Sequence, residues 1–265
     1  MSTSLSAPPW LLEVIDAARA SLGYSVADDC FAAAELERLL WEAMLEGRLA
    51  GAGELCGMLR GRRVLVAGAA SSLPADLEAA EGLRVDVVVA ADGAAGPLLE
   101  FYGRVDIVVG DLDGGLSAVL RAAEEGAVVV VHAHGDNVPL IRLAVPMLER
   151  VAGTHQCPGR RSPAALPPIG FTDGDKAVAL AVLCGAGEIL LAGMDFDAPV
   201  GPWSKPWLEA ATPPWPEKRR KLGIARRIVE LLLAAHQPRR RSHPHIPAHA
   251  REPGSLEAAR ARPRG

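Results

Sequence analysis

The 265-residue sequence contains no long apolar run and only four cysteines. None of its apolar stretches reaches the roughly 18 residues that a membrane-spanning helix needs, and its first residues lack the basic and apolar segments of a cleavable signal peptide. The cysteines form no CxxC pair, so their wide spacing indicates neither a disulfide framework nor a zinc knuckle, and we interpret them as small core residues. We therefore expect a soluble, cytoplasmic protein without a membrane partner. The cysteines are Cys30, Cys56, Cys157 and Cys184.

Lysine and the side-chain amides are also scarce. The chain has one asparagine and two glutamines, a depletion that is typical of proteins from hot habitats. Residues 237–265 hold seven arginines and two glutamates, a net charge of +5. Subtracting this from the chain's net charge of −4 leaves −9 on residues 1–236, which disfavours nucleic acid as a partner of the folded part. The only lysines are Lys176, Lys205, Lys218 and Lys221.

Apolar residues make up 49% of the chain, which is enough for a substantial core. Near the N-terminus they recur at helical spacing over residues 9–22 and 27–45, and Ser25 with Asp28 forms a variant of the capping box. From Arg63 onward, short valine-rich runs alternate with helical segments. We therefore predict an N-terminal helical region over residues 1–60 and an α/β catalytic domain over residues 61–236.

The valine-rich runs lack the alternation of apolar and polar residues that half-exposed strands show. Continuous β-branched runs are typical of strands covered by helices on both faces. The runs lie at 64–68, 85–90, 106–110, 127–133 and 188–193, with a fainter one at 153–157. The segments 74–81, 96–102, 116–125, 138–151 and 174–184 fit crossover helices. The predicted fold class is α/β, with a doubly wound, mainly parallel sheet.

The remaining segments differ in composition from the sheet. Residues 158–170 and 198–216 are rich in proline and predict long binding loops or lids. A last amphipathic helix is predicted over 217–236. Residues 237–265 contain too much proline and too few apolar residues to pack, so we predict a disordered basic tail there.

Polar residues or glycines follow each main valine-rich run. Ligands of open parallel sheets bind beyond the carboxyl ends of the strands, so these residues predict one acidic, glycine-lined cleft. Gly68 and Ser71 follow the first run, and Asp195 follows the last. The residues after the other runs are Asp92, Gly93, Asp111, Asp113, His132, His134, Asp136 and Asn137.

Asp111 and Asp113 form a DxD motif directly after a predicted strand. Alternate residues of an extended segment point the same way, so both carboxylates can reach one hard cation while Gly114 lets the chain turn. Mg²⁺ is usually held by one or two carboxylates together with substrate phosphates. The motif predicts a magnesium site; the structural alternative is a solvated turn that caps the next helix.

The segment HAHGDN at 132–137 contains two histidines, an aspartate and the only asparagine. The presence of this one asparagine in a chain with so few side-chain amides indicates that its side chain makes specific hydrogen bonds. HxH spacing can bind zinc, but no further Cys or His cluster completes such a site. We interpret Asp136 as a ligand of the metal or its water, Asn137 as the start of a helix, and His132 and His134 as contacts to phosphate or substrate. The alternative is a helix N-cap with histidines bonded to the backbone.

Thr172, Asp173, Asp175 and Lys176 begin a predicted helix, where free backbone amides and the helix dipole attract anions. Lys176 on the first turn can reach a polyphosphate, and the acids can bind the accompanying cation. The chain has neither a Walker A loop nor GxGxxG, and the structural alternative is a capping box with ordinary surface charges. Together the motifs predict a metal-dependent phosphoryl-transfer site.

Four segments resemble, in the same order, the archaeal 6-hydroxymethyl-7,8-dihydropterin pyrophosphokinase family, which is itself similar to thiamin pyrophosphokinases. They are ADGA at 91–94, DIVVGDLDG at 106–114, HAHGDN at 132–137 and GFTDGDKAVALAVLCGAGEILLAGMDF at 170–196. The likeness spans about residues 62–196 and extends to the last helix. The first turn departs from it: the wider family reads like GxGPSL, whereas residues 68–73 read GAASSL.

The resemblance implies Mg²⁺-dependent transfer of the terminal diphosphate of ATP to the hydroxymethyl group of a reduced pterin, with release of AMP. It implies metal binding by Asp111 and Asp113, and it implies a homodimer by likeness to the thiamin enzymes. If a general base takes part, His134 and Asp136 are the candidates. The cleft and nucleotide-facing positions that it implies are Asp92, Gly93, Asp173, Asp175 and Lys176.

Three other functions fit parts of the pattern. The acceptor alcohol can be thiamin or another primary alcohol on the same fold. A DxD motif also chelates the metal under nucleotide sugars in glycosyltransferases, although this chain lacks an added acceptor domain. The third is a nucleotide-binding module without catalysis, which would bind ATP and release no AMP.

Overall fold

The computed structural model describes residues 5–236 and contains a six-stranded, entirely parallel sheet. The strands are β1 (Arg63–Ala67), β2 (Val87–Ala91), β3 (Ile107–Gly110), β4 (Val128–Ala133), β5 (Val151–His155) and β6 (Glu188–Ala192). Their order is β5-β4-β3-β2-β1-β6. The predicted α/β class with a parallel sheet is confirmed, and the tail predicted at 237–265 lies outside the described residues.

Helices precede, connect and follow the strands. They are α1 (Pro9–Leu22), α2 (Val26–Leu45), α3 (Ala52–Leu59), α4 (Leu73–Ala79), α5 (Ala95–Pro97), α6 (Leu116–Glu124), α7 (Val138–Ala144), α8 (Asp173–Leu183) and α9 (Pro216–Ala235). A 3₁₀ turn and a π turn extend α5 at its two ends, and a 3₁₀ turn follows α7. Ser25 caps α2 as the sequence predicted, because its Oγ accepts from the amide of Asp28 at 3.2 Å.

The sheet is covered on both faces, which is why its strands read as continuous apolar runs. On β1, Leu65 and Ala67 face one core together with residues of α2, α4, α5, α6 and α7. Val64 and Val66 face the other core, with residues of α1, α3, α8 and α9. The strand order reverses at β1, whose neighbours are β2 and β6, so the fold is doubly wound around β1.

The N-terminal helices pack directly on the sheet. Gly153 of β5 permits this contact with α2, because a Cβ at position 153 would lie 2.6 Å from Leu40 and 2.8 Å from Leu36. The chain after α2 also adds to the edge of the sheet, where the amide of Val151 donates to the carbonyl of Arg48 at 3.0 Å. The N-terminal region therefore covers the β5 edge.

Two segments differ from the predicted elements. Helix α3 was not predicted, because Gly53 and Gly57 lower its intrinsic propensity; it forms because Leu55 and Leu59 are buried. The helix predicted over 138–151 is shorter, since α7 ends at Ala144 and β5 begins at Val151. Pro146 lacks an amide donor and cannot continue the α-helical hydrogen bonds, and the chain instead forms a 3₁₀ turn over Val145–Met147.

The interpretation of the cysteines is wrong: all four are disulfide-bonded. Cys30 of α2 is joined to Cys157 after β5, and Cys56 of α3 is joined to Cys184 at the end of α8. The partners are 127 and 128 residues apart, so only the fold brings each pair to a Cα–Cα distance of 4.5 Å. Both bonds attach the N-terminal helical region to the α/β domain.

Within the described part of the chain, no helix is long and apolar enough to cross a membrane.

We expect reduction of the two disulfides to destabilise the protein, because each closes a loop of more than 120 residues in the unfolded chain. A loop of that size corresponds to about 4–5 kcal/mol in the chain-entropy model. Thermal unfolding with and without reductant measures the effect, with the Cys30→Ala/Cys157→Ala variant as the control that retains one bond. Four titratable thiols in unfolded, unreduced protein would contradict this pairing.

His155 makes stability depend on pH. The ring is buried at the end of β5 without a hydrogen-bond partner, and this burial, with the charge of Arg160, lowers its pKa from 6.5 to about 4. The unfolded state therefore binds more protons between pH 6.5 and 4, so stability falls as the pH is lowered through that window. We expect about 2 kcal/mol less stability from this group at pH 5 than at pH 7. Urea unfolding of His155→Leu at both pH values tests this; an unchanged pH dependence would contradict it.

Candidate active site

Two adjoining cavities lie beyond the carboxyl ends of the strands. The first, which we call the switch-point cleft, has a volume of about 810 Å³ and lies where the strand order reverses, the usual ligand crevice of doubly wound sheets. It is lined by the chain after β1 (Gly68, Ala69, Ala70), after β2 (Asp92, Gly93) and after β6 (Gly193, Met194, Asp195, Phe196).

The second, which we call the β4 cavity, has a volume of about 1500 Å³ and lies beyond β3 and β4. The start of α2 forms one wall and the start of α9 another. Its lining includes Tyr24, Asp29, His132, His134, Gln156, Phe171 and Trp215. Residues that line both cavities are Asp113, Thr172, Asp173, Lys205, Lys218 and Lys221.

Three carboxylates meet between the two cavities. Asp92, Asp111 and Asp173 each offer an oxygen, and these oxygens lie within 4.8 Å of one another. Burial and the neighbouring charge of Asp111 raise the pKa of Asp92 well above its usual range and that of Asp173 to about 8. Oδ1 of Asp92 is buried and has no hydrogen-bond partner among residues 5–236. Oxygen ligands that repel one another and include an orphaned oxygen fit a hard divalent cation such as Mg²⁺.

Glycines determine where Asp92 lies. Oδ2 of Asp92 accepts from the amide of Gly114, and a Cβ on Gly114 would lie 2.2 Å from that oxygen. A Cβ on Gly110 would lie 2.6 Å from the same side chain. The backbone of Asp92 itself has a φ of +37°, a conformation that L-residues rarely adopt and that functional sites often retain. Gly110 and Gly114, on the two sides of residues 111–113, are therefore required for the Asp92 carboxylate to lie where it does.

His134 bridges two carboxylates. Its Nε2 lies 3.0 Å from Oδ2 of Asp111, and its Nδ1 lies 2.5 Å from Oδ1 of Asp136. Burial alone would lower the pKa of His134, but the two carboxylates raise it to about 9. Burial would raise the pKa of Asp111, whereas the bond and charge of His134 hold it well below its usual range. At neutral pH the pair is therefore an imidazolium with an ionised Asp111.

Asn137 has the hydrogen-bonding task that its retention indicated. Its Nδ2 donates to the carbonyls of Asp111 at 3.0 Å and His132 at 2.7 Å, and its Oδ1 accepts from the amide of His134 at 3.1 Å. Asn137 is also the N-cap of α7. The buried side chain of Asn137 therefore joins the ends of β3 and β4. It positions both the segment that carries Asp111 and the segment that carries the two histidines.

The start of α8 combines a cap with buried charge. Asp175 accepts from the amides of Phe171 at 2.6 Å and Thr172 at 2.8 Å, so the capping box that the sequence left as an alternative is present. Nδ1 of His132 lies 3.2 Å from Asp173 Oδ1. Lys176 is fully buried without a hydrogen-bond partner and contributes to the lining of neither cavity; burial lowers its pKa to about 8.

The predicted metal ligands are only partly brought together. Asp111 lies with Asp92 and Asp173, whereas the carboxylate of Asp113 is paired with Lys205 and that of Asp136 with His134. Asp136 is largely exposed, with 89% side-chain accessibility. The DxD spacing does place Asp113 next to Asp111. Burial is the main cause that raises the pKa of Asp113, and the negative charge of Asp111 is the second.

Three further predicted site residues, Gly68, Gly93 and Asp195, line the switch-point cleft, and Ser71 does not. Gly68 and Gly93 are packed against backbone. A Cβ on Gly68 would lie 2.5 Å from the carbonyl oxygen of Gly193, and a Cβ on Gly93 would lie 1.8 Å from the carbonyl oxygen of Trp203. Asp195 is exposed and lines the cleft. Ser71 is exposed and is not part of either lining.

Sequence reasoning missed two groups of lining residues. Lys205, Lys218 and Lys221 could have been found, because a chain with only four lysines places three of them here. Tyr24 and Asp29 could not, because nothing in their local sequence distinguishes them from an ordinary helix start. They reach the site because α2 packs across the β5 edge.

Comparisons with known proteins agree with one another. Residues 46–201 match the family model described as 6-hydroxymethylpterin diphosphokinase MptE-like. The 6-hydroxymethyl-7,8-dihydropterin pyrophosphokinase of Pyrococcus furiosus is 40% identical over 211 residues, covering 80% of this chain and 87% of the relative. The enzyme of the same name from Methanothermobacter thermautotrophicus is 42% identical over 175 residues, covering 63% of this chain and 72% of the relative.

A third relative and one solved structure complete the comparison. The Methanocaldococcus jannaschii protein of the same name is 34% identical over 187 residues, covering 68% of this chain and 78% of the relative. The structure of MAf glycosyltransferase from Magnetospirillum magneticum AMB-1 aligns with 82% of this chain and 36% of its own, at 15% identity and a TM-score of 0.47. From the family model and the three relatives, the chain belongs to the 6-hydroxymethylpterin diphosphokinase MptE-like family.

Proposed function

We propose that the protein transfers the terminal diphosphate of ATP to the hydroxymethyl group of 6-hydroxymethyl-7,8-dihydropterin, with Mg²⁺, and releases AMP. The observation that carries the proposal is the cluster of Asp92, Asp111 and Asp173, in which Asp92 is buried and which lies between two cavities with shared walls. Transfer of a charged group between two substrates needs one site for each substrate and an ion that neutralises the charge of the group. The names of the three relatives support the pterin as acceptor.

The nucleotide fits the switch-point cleft. Close contact of Gly68 with Gly193 leaves backbone rather than side chains at the ends of β1 and β6. Gly174, in the first turn of α8, also lines this cleft, so that the free amides and positive end of the helix favour an anion there. These features suit a ligand that carries phosphates.

The acceptor fits the β4 cavity. Tyr24 and Phe171 are stacked there with ring centroids 6.2 Å apart, and Trp215 adds a third aromatic group to the lining. Asp29 and Gln156 supply polar groups. Oδ2 of Asp29 is buried 3.8 Å from Nε of Arg19 and accepts no hydrogen bond among residues 5–236. A flat heterocycle with hydrogen-bond donors along one edge matches aromatic walls and a carboxylate oxygen that can still accept a hydrogen bond.

In the reaction the hydroxymethyl oxygen forms a bond to the β-phosphorus of ATP, and the bond from that phosphorus to the α,β-bridging oxygen breaks. AMP leaves with the bonding electrons. Asp92, Asp111 and Asp173 are the residues that would hold Mg²⁺, which supplies neutralisation of charge on the phosphate oxygens when bound. His134 holds Asp111 ionised, so the carboxylate is ready for a cation at neutral pH.

The proton of the hydroxymethyl group needs an acceptor as the oxygen–phosphorus bond forms. His134 is already protonated at neutral pH because Asp111 and Asp136 raise its pKa. Of the two candidates from the sequence, Asp136 is therefore the one that is unprotonated at neutral pH and can accept a proton, since its hydrogen bond to His134 lowers its pKa. Base assistance contributes little if the transition state is loose, as in most phosphoryl transfers.

A homodimer, implied by the resemblance to the thiamin enzymes, and a cytoplasmic location, expected from the sequence, remain predictions. Intracellular disulfides are rare in mesophiles but frequent in hyperthermophiles, so the two disulfides agree with a cytoplasmic location in a hot habitat.

AMP formation tests the proposed function. The protein is incubated with ATP and Mg²⁺ together with 6-hydroxymethyl-7,8-dihydropterin, with thiamin, or with no acceptor. We expect AMP only with the pterin, and loss of AMP when the metal is chelated. AMP with thiamin alone would overturn the acceptor, and no AMP with either would overturn the activity.

Asp111→Asn should lower the rate of AMP formation by at least about 100-fold, because it removes the charge that both the cation and His134 require. Asp113→Asn should cost less, because that carboxylate is paired with Lys205. Asp197→Asn, which changes an exposed carboxylate outside both cavities, is the control. Rates are compared with circular dichroism melts, and near wild-type turnover in a folded Asp111→Asn would contradict the metal site.

Tyr24→Leu should raise the KM for the pterin by about tenfold and leave the KM for ATP within about twofold, because it removes an aromatic wall of the β4 cavity. Tyr24→Phe is the matched control, since it retains the ring and loses only the hydroxyl that donates to Glu217 Oε1 at 2.6 Å. Steady-state kinetics with each substrate varied distinguish the two constants. An equal rise in both values would assign Tyr24 to folding rather than to the acceptor.

A further inference from the structure

Three of the four lysines converge at the junction of the two cavities. Lys205 comes from the segment before α9, and Lys218 and Lys221 lie on the first two turns of α9. All three line both the switch-point cleft and the β4 cavity. Among residues 5–236, no arginine lines either cavity. The described walls of the junction therefore take their cationic side chains from lysine.

The three ammonium groups differ in their protein partners. Lys205 is paired with Asp113. Lys221 lies 3.7 Å from Oε1 of Glu217 and 5.0 Å from the ring centroid of Tyr24. Lys218 has no carboxylate within 4.0 Å among residues 5–236, and donates only a long bond of 3.4 Å to Oγ of Ser204. Lys218 is therefore the charge that the protein leaves uncommitted.

This convergence is unfavourable without an anion. Burial lowers the pKa of Lys218, and the positive charges of Lys205 and Lys221 lower it further. The three carboxylates of the acidic cluster lie at the same junction, which therefore holds acidic and basic groups together. An anion with several negative charges that also binds a cation held by the carboxylates complements both kinds of group. A polyphosphate has this chemistry, whereas a single carboxylate or a neutral ring does not.

We propose that Lys205, Lys218 and Lys221 bind the diphosphate that is transferred, and that Lys218 makes its principal direct contact. The proposal rests on the proposed function for the identity of the donor and acceptor. Because the lysines line both cavities, they contact the diphosphate on the nucleotide before transfer and on the acceptor after it. A lysine is suited to this, since its compact charge on a flexible stem can follow a moving group.

The test is the dependence of binding on phosphate number in the full-length protein with Mg²⁺. Dissociation constants for ATP, inorganic pyrophosphate and AMP are measured by calorimetry for wild type and Lys218→Met. We expect about tenfold weaker binding of ATP and pyrophosphate in the variant, and binding of AMP within about twofold of wild type. Arg219→Met is the matched control, because Arg219 is exposed on the same turn and lines neither cavity.

The outcomes separate this inference from the proposed function. Weaker ATP and pyrophosphate binding in a folded Lys218→Met, with unchanged AMP binding, supports the lysine site even if no pterin-dependent AMP forms. An equal loss for AMP, or a loss no larger than in Arg219→Met, would overturn it. Absence of any polyphosphate binding by the wild type would also overturn it. If Lys218→Met is unstable, Lys221→Met is measured with the same ligands and judged by the same outcomes.

Discussion

Repulsion among three close carboxylates is the interaction on which the rest of the site depends. Asp92 and Asp111 follow the ends of β2 and β3, Asp173 begins α8, and their oxygens share one small volume, which is costly unless positive charge compensates it. The surroundings supply positive charge: His134 lies against Asp111, whose carboxylate raises the pKa of the imidazole, and three lysines line the same junction. Under the proposed function, a divalent cation and a polyphosphate would complete the balance.

The N-terminal helical region belongs to the site as well as to the fold. It covers the β5 edge, is tied to the α/β domain by both disulfides, and forms one wall of the β4 cavity. Cys30 lies one position after Asp29, and Cys157 lies one position after Gln156, so one disulfide joins two lining segments of that cavity. The disulfide thereby limits how far this wall of the β4 cavity can move from the sheet.

Sequence reasoning succeeded where a residue's role follows from its place on one strand. Parallel strands deliver their carboxyl ends to a single edge, so Asp111, His132 and His134 were predicted to line one cleft, and all three line the β4 cavity. It failed where the partner comes from elsewhere in the chain. The spacing of Asp113 and Asp111 suggested a shared cation, but Lys205, 92 residues away, pairs with Asp113.

The sequence by itself determined the α/β class, the parallel sheet and the edge at which the polar groups collect, because valine-rich periodicity and strand-end residues are local signals. Only the tertiary structure decided that Asp92 joins the acidic cluster, that the cysteines pair over 127 and 128 residues, and that lysines and α2 enclose the cavities. These are contacts between segments far apart in the chain, and their geometry is set by how helices pack on the sheet, which no local pattern encodes.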